Sequence, residues 1–214
     1  PKLFTTNQIK NYFLNRNKIK YIKDNLVDEI TKKKKNYSKP FFSLKENIVG
    51  ESHQSKINRI SKYLQKNKSD NLFVSAPENV AWTWNSRGYD NPNSPIPNCR
   101  LIISKTKKIY LISELYKVKK LIKEKKINSN QIIEPDYLES KILNLKGNKC
   151  IIDDKTCSVF YENLIKLKFN ILKKNDPIYL FKSIKNQIEI NNMINAHILD
   201  GAALTKFIYW IKKR

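Results

Sequence analysis

Apolar residues recur along this chain at two spacings, and the alternation between them lays out a fold. Ile57, Ile60 and Leu64 fall on one helical face, and Ser52 stands where the N-cap of that helix belongs. Residues 71–76, Asn-Leu-Phe-Val-Ser-Ala, then form an apolar run of the kind found in a strand buried on both faces. Residues 99–104 and 108–113 repeat that signature on either side of Lys105-Thr106-Lys107, which predicts a hairpin. Residues 116–126 return to helical spacing. After them the pattern predicts a short strand at 131–134, a short helix at 137–145, a strand at 149–153 and a helix at 158–168. Strands alternating with helices, one hairpin among them, predict an α/β fold with a mixed β-sheet flanked by helices.

Three stretches depart from this rhythm. Residues 77–98 form a long Asn- and Pro-rich excursion in which Val80-Ala81-Trp82-Thr83-Trp84 is expected to make a helical turn. At the front, residues 5–21 read as a short helix followed by an extended piece at 18–23, and then by a polar stretch through Pro40 that reads as a linker. At the back, Asp176 to Phe181 reads as a connection into a long amphipathic pattern. There Asn186 and Glu189 have the spacing of a capping box, and Ile190, Ile194, His197, Gly201, Leu204, Ile208 and Ile211 follow at helical intervals. Such a helix would run roughly 40 Å at 1.5 Å per residue. Phe207, Tyr209 and Trp210 add aromatic bulk, and a stripe this wide needs a large partner. The expectation is therefore a piece of a longer protein, cut at both ends. Residues 1–45 would be the tail of one domain and a linker, 46–184 a complete domain, and 185–214 the opening helix of another.

Composition narrows the field. Of 214 residues 40% are hydrophobic, with eleven Tyr, nine Phe and three Trp, enough for a core. No apolar run approaches the ~18 residues of a membrane span. Cys99, Cys150 and Cys157 are few and odd in number, which suits reduced thiols and a cytoplasmic setting better than a disulfide framework. Net charge is +23, the signature of nucleic-acid binding if it were focused. Among 42 basic residues, however, only Arg16, Arg59, Arg87, Arg100 and Arg214 are arginine, and the lysines are scattered over every element. A basic solvent surface is expected, with the run at 32–35 as solvated linker and no nucleic-acid partner.

Candidate chemistry is sparse. His197 and Asp200 lie three apart on one helix, but two ligands do not make a metal site. Asp153-Asp154 would point to opposite faces of a strand, so a strand-end turn is favoured over a carboxylate pair. Glu51-Ser52-His53 is most simply a helix cap. Trp82 and Trp84 read as core anchors. Arg87, Gly88 and Asp90 hold more interest. Gly88 could supply an unusual backbone angle and the two charges could pair, either to pin the excursion or to face another domain or an active-site mouth.

The segment carrying those three residues supports a resemblance. Ala81-Trp82, Asn85-Ser86-Arg87-Gly88-Tyr89-Asp90 and Asn93-Ser94-Pro95 resemble the second domain of three-domain Xaa-Pro aminopeptidases, the aminopeptidase P family. Asp24-Asn25-Leu26-Val27-Asp28 with Lys39-Pro40 is similar to the exit from that family's first domain. Lys185-Asn186, Glu189, Met193, Ala196-His197-Ile198, Asp200 and Ala203-Leu204 are similar to the opening helix of its catalytic domain. Thr83 and Ser86 depart from the usual apolar residues. The resemblance implies creatinase-like N-terminal domains ahead of a pita-bread domain with two divalent metal ions, usually manganese. It implies removal of an N-terminal residue that precedes proline, and a homodimeric whole. The metal ligands would lie downstream of the opening helix, leaving no catalytic, cofactor or metal residue in this stretch. A non-catalytic interaction module related to pita-bread proteins, or a basic nucleic-acid-binding protein, are the alternatives.

Overall fold

The structure is a computed structural model that describes residues 2–13, 19–20, 22, 27, 30 and 40–213. The lysine run at 32–35, most of the 24–28 landmark and parts of the expected extended piece at 18–23 lie outside the described residues. Helices are α1 (Thr6–Phe13), α2 (Glu46–Val49), α3 (His53–Lys66), α4 (Pro77–Thr83), α5 (Leu115–Lys123), α6 (Leu138–Leu143), α7 (Val159–Lys166), α8 (Pro177–Ser183) and α9 (Gln187–Lys212). Strands are β1 (Phe42–Ser43), β2 (Asn71–Val74), β3 (Ser86–Arg87), β4 (Arg100–Ser104), β5 (Ile109–Ile112), β6 (Ile132–Ile133), β7 (Lys149–Ile152) and β8 (Asn170–Lys173).

Six strands form one sheet in the order β6-β5-β4-β2-β7-β8, and it is mixed, as the alternation and the hairpin predict. Strand β2 runs parallel to β7 and antiparallel to β4, with Phe73 opposite Ile152 on one side and Ile102 on the other. Strand β8 is parallel to β7, and β6 is parallel to β5. Successive strand side chains point to opposite faces, so β2 serves two cores. Leu72 and Val74 join Ile57, Ile60 and Leu64 of α3, with Val80, Trp84, Val118 and Ile178, on one face. Phe73 meets Leu138, Ile142, Ile165 and Phe169 on the other. All four residues of β2 are buried, and its near-continuous apolar sequence follows from that.

Strand β1 and helix α2, and strand β3 inside the expected loop, were not foreseen, and two elements toward the back of the chain also depart from expectation. Residues 170–173 form an edge strand whose end positions, Asn170 and Lys173, are exposed, and so short a half-wet strand carries no clear period. Asp176 and Pro177, read as part of a connection, instead start helix α8. Proline is well placed at the first helical position, where its missing N–H has no intrahelical partner to lose, and the Asp176 carboxylate accepts from Ile178 N at 2.9 Å. The front segment docks on α7. Val159 N donates to Phe4 O at 2.9 Å, and Thr6 Oγ1 donates to Glu162 at 2.6 Å.

Candidate functional site at the loop and the foot of the long helix

The excursion after α4 is built by a turn and a close approach. Asn85 has φ 51°, in the left-handed region where asparagine is tolerated, and it turns the chain into β3. Strand β3 pairs antiparallel with β1, Phe42 opposite Arg87, which ties the loop to the segment ahead of α2. Gly88 is needed for space. A Cβ there would sit 2.7 Å from Pro97 Cβ and 3.2 Å from Phe41 Cδ1, and its φ is outside the left-handed region, so the expected unusual backbone angle is not the reason for this glycine.

The expected Arg87–Asp90 ion pair is also absent, because the two side chains face different elements. Arg87 donates to the carbonyls of Ser86 at 2.8 Å and Ala81 at 3.2 Å. Burial pulls its pKa down, and the charge of Glu189 opposes that shift. Asp90 turns instead toward α5, accepting from Asn98 N at 2.7 Å and pairing with Lys117 at 3.3 Å. Lys117 bridges on to Glu114 at 3.1 Å. The loop is thus clamped at both ends, by Arg87 on the Ala81 and Ser86 carbonyls and by Asp90 on Asn98 and Lys117.

Helix α9 begins as the sequence predicts. Asn186 and Glu189 cap each other reciprocally. The Asn186 side chain also donates to Val49 O at 2.8 Å, and Asn192 donates to Ile48 O at 2.9 Å. Those carbonyls close helix α2, whose last turn has no intrahelical donor for them. Gly50 completes the joint at φ 71°, and a Cβ on it would lie 2.2 Å from Asn186 Oδ1. Beyond this foot, none of the 26 residues of α9 is buried. Trp210 is 51% exposed and Phe207 54%.

Sequence reasoning missed the residue that organises the floor beneath the foot. Lys56 is 1% exposed. Its ammonium donates to Asn85 Oδ1 at 2.5 Å and Trp82 O at 2.9 Å, and it lies 4.1 Å from the centre of the Trp82 ring. Burial draws its pKa down to about 8, partly offset by Glu51 and Glu189 and reinforced by Arg87 and Arg59. The available signal was spacing: Lys56, Ile60 and Leu64 are four apart, so this lysine stands inside the apolar stripe of α3. Arg59 pairs with Glu51 and lies 5.4 Å from the Trp82 ring. Trp84 is a core anchor as expected, whereas Trp82 is half-buried against this cation cluster.

A second network closes the carboxyl end of the sheet. Asp153 is buried and makes the strand-end turn expected of it, accepting from Lys155 N at 3.0 Å and from Asp176 N at 2.9 Å. Its neighbour Asp154 points away and accepts from Asn7 at 3.1 Å. Asp176 accepts from Asn79 at 2.7 Å, and burial pushes its carboxyl up to about 6. Ser52 caps α3 by accepting from Ser55 N at 3.2 Å. Burial raises the Cys99 and Cys157 thiols to about 12, which leaves them poor nucleophiles. His197 and Asp200 are exposed on α9, and among the described residues no group of three or more His, Cys, Asp or Glu could hold a metal ion. This arrangement is chemically suited to holding one element against another.

Fold and site together define an α/β domain that presents a long helix from a charged socket. Residues 32–189 match the Creatinase/Prolidase N-terminal domain, and the chain belongs to that family. The chain is 31% identical over 210 residues to Xaa-Pro aminopeptidase 1 of Dictyostelium discoideum, covering 89% of this chain and 31% of that protein. With Xaa-Pro aminopeptidase ApepP of Drosophila melanogaster it shares 28% identity over 198 residues, covering 89% of this chain and 32% of the relative. It thus spans about a third of the length of these curated relatives. The X-prolyl aminopeptidase of Caenorhabditis elegans, described as a cytosolic enzyme with a di-nuclear active site, has the same fold. It superposes with a TM-score of 0.78 at 21% identity over 90% of this chain and 32% of its own.

Proposed function

We propose that these residues serve a metal-dependent Xaa-Pro aminopeptidase, an enzyme that removes the N-terminal residue ahead of proline, as a non-catalytic domain. On this reading residues 1–45 end a preceding creatinase-like domain and its linker. Residues 46–184 form the second such domain, and 185–214 open a pita-bread catalytic domain. The observation that carries the reading is α9: it is fixed at its first turn by Asn186, Asn192 and Gly50, and apolar and exposed along the rest of its length. A helix held this way is a mount for a further folded body. The identity to Xaa-Pro aminopeptidases across 89% of the chain supports the nature of that body.

Two divalent metal ions, manganese by the family resemblance, belong on this reading to the catalytic domain. The described residues do not fit such a centre, since no metal-holding cluster occurs among them. The domain's own part is to wall the active-site entrance, restrict it to short peptides and support assembly of a homodimer in the cytoplasm. The loop of Arg87, Gly88 and Asp90 is the stretch proposed to face the entrance or the neighbouring domain. Hydrolysis of an Xaa-Pro tripeptide with manganese tests the reading. The whole protein is expected to turn over and the 214-residue chain alone to be inactive. Turnover by the chain alone would overturn it. For the loop, Arg87→Gln in the whole protein is expected to change KM more than kcat, the mark of altered binding instead of altered chemistry.

A further inference from the structure

Away from the foot of α9, the amino end of the sheet carries three adjoining cavities. The β2 strand starts there, the β4–β5 hairpin turns there, and β7 enters from the turn at Gly147. One cavity of about 560 Å³ is lined in part by Asp70, Lys105, Thr106, Lys108 and Lys146. A second, about 380 Å³, shares Lys108, Tyr110 and Lys141 with it. A third, about 500 Å³, shares Lys105 and Thr106 and adds Lys68. Lysines that are scattered in sequence therefore converge from the end of α3, the hairpin, α6 and the turn before β7.

Charge on this surface is uncompensated. Asp70 is the one carboxylate among the residues lining the three cavities, and its acceptors are already engaged. It pairs with Lys105 at 2.7 Å and accepts from the amides of Asn148 at 2.7 Å and Lys149 at 3.0 Å. The Lys105 bond, with those amides, holds its carboxyl down at about 2. Among the described residues no ion pair engages Lys68, Lys108, Lys141 or Lys146. Like charges around a concave wall add their potentials and concentrate anions there.

The chemistry of the lining also selects the kind of anion. Lysine is a point charge on a flexible stem, suited to phosphate oxygens and poor at planar readout of bases. Tyr110 is the one aromatic residue lining these cavities. Lys141 lies 4.3 Å from the centre of its ring, so that face is not free to stack a base. We propose that this end of the sheet binds a linear chain of phosphate groups through charge, without reading bases. Inorganic polyphosphate and the backbone of single-stranded RNA both offer that chemistry. The site lies at the opposite end of α3 and β2 from Gly50 and Asn186, so a body mounted on α9 leaves it open.

The test is fluorescence anisotropy of the full chain with a labelled single-stranded RNA of mixed sequence, titrated at several salt concentrations, with unlabelled inorganic polyphosphate as competitor. Single strands lose about 0.7 in the log–log salt slope per phosphate neutralised, so four lysines predict a slope near −3. The triple variant Lys68→Gln, Lys108→Gln, Lys146→Gln is expected to bring the slope to about −1 and to weaken binding at least tenfold. Lys119→Gln, Lys155→Gln and Lys212→Gln together remove the same charge from residues outside these cavities, and are expected to change affinity less than threefold. Thermal melts of both variants check that they fold. Full displacement by polyphosphate and equal affinity for unrelated sequences support a phosphate-chain site, as does binding of polyphosphate alone. Equal loss in the two triple variants would assign binding to bulk charge and overturn the proposal. Binding that depends on base composition, or no binding of either polyanion at 100 mM salt, would do the same.

Discussion

Helices α3 and α9 start alike and end in opposite circumstances. Each is capped by a polar side chain accepting from the third residue on, Ser52 from Ser55 and Asn186 from Glu189. Yet α3 buries Ile57, Ile60 and Leu64 in 14 residues, while α9 buries none of its 26. Capping decides where a helix begins, at about 1 kcal/mol per cap. Burial decides whether it is held along its length, at roughly 1.5–3 kcal/mol for each large apolar side chain. Helix α9 therefore has a fixed origin and an exposed body, and its contacts with Val49 O, Ile48 O and Gly50 act at the origin alone.

Four measurements would break or sharpen that contrast, the strongest first. Leu64→Ala in α3 removes a fully buried side chain and should cost about 4 kcal/mol in urea denaturation. A cost under 1 kcal/mol would mean that α3 is not packed as described. Next comes the electrostatic counterpart of burial at the carboxyl end of the sheet. The Asp176 carboxyl titrates at about 6 in the fold against 3.8 unfolded, so the folded state holds the extra proton between those values. Its contribution is fully present below pH 3.8 and is lost as pH rises through 6. The swing amounts to about 2–3 kcal/mol. Asp176→Asn keeps an acceptor for the helix cap and should flatten the difference in stability between pH 4 and 6; an unchanged profile would assign the titration elsewhere.

At the joint itself, Gly50→Ala forces a Cβ into the left-handed region and against Asn186, at a cost of about 2 kcal/mol. Hydrogen exchange at residues 186–192 should quicken in that variant while the amides of β2 stay protected. The smallest effect is expected from Leu204→Ala, under 0.5 kcal/mol in this chain because Leu204 is 57% exposed. The same substitution in the whole protein proposed above should cost at least 2 kcal/mol, since α9 would then be covered. Equal small effects in both would remove the reading of α9 as a mount.

Much of this was legible beforehand. Outside the excursion at 77–98, the sequence from Ser52 through α7 has apolar spacing that matches its elements because those elements bury one face or two. The capping box at Asn186 was visible because it is a local event among four residues. Strand β8 was not, since an edge strand of four residues with exposed ends has almost no pattern to show. The loop motif was legible as residues and opaque as geometry. Arg87, Gly88 and Asp90 are neighbours in sequence, but each answers to a different partner: the Ala81 carbonyl of α4, Pro97 and Lys117.

The sequence by itself determined the alternation of strands and helices, the double-faced burial of β2, the origin of α9 and the family resemblance carried by residues 81–95. These depend on interactions within about ten residues, or on a period that repeats along one element. Only the tertiary structure decided that Lys56 is buried beneath Trp82 and that Gly88 is required for space. Only it turned lysines spread from position 68 to position 146 into one concave surface. Proximity of that kind is set by which strands lie side by side, and strand order is not written in any local spacing.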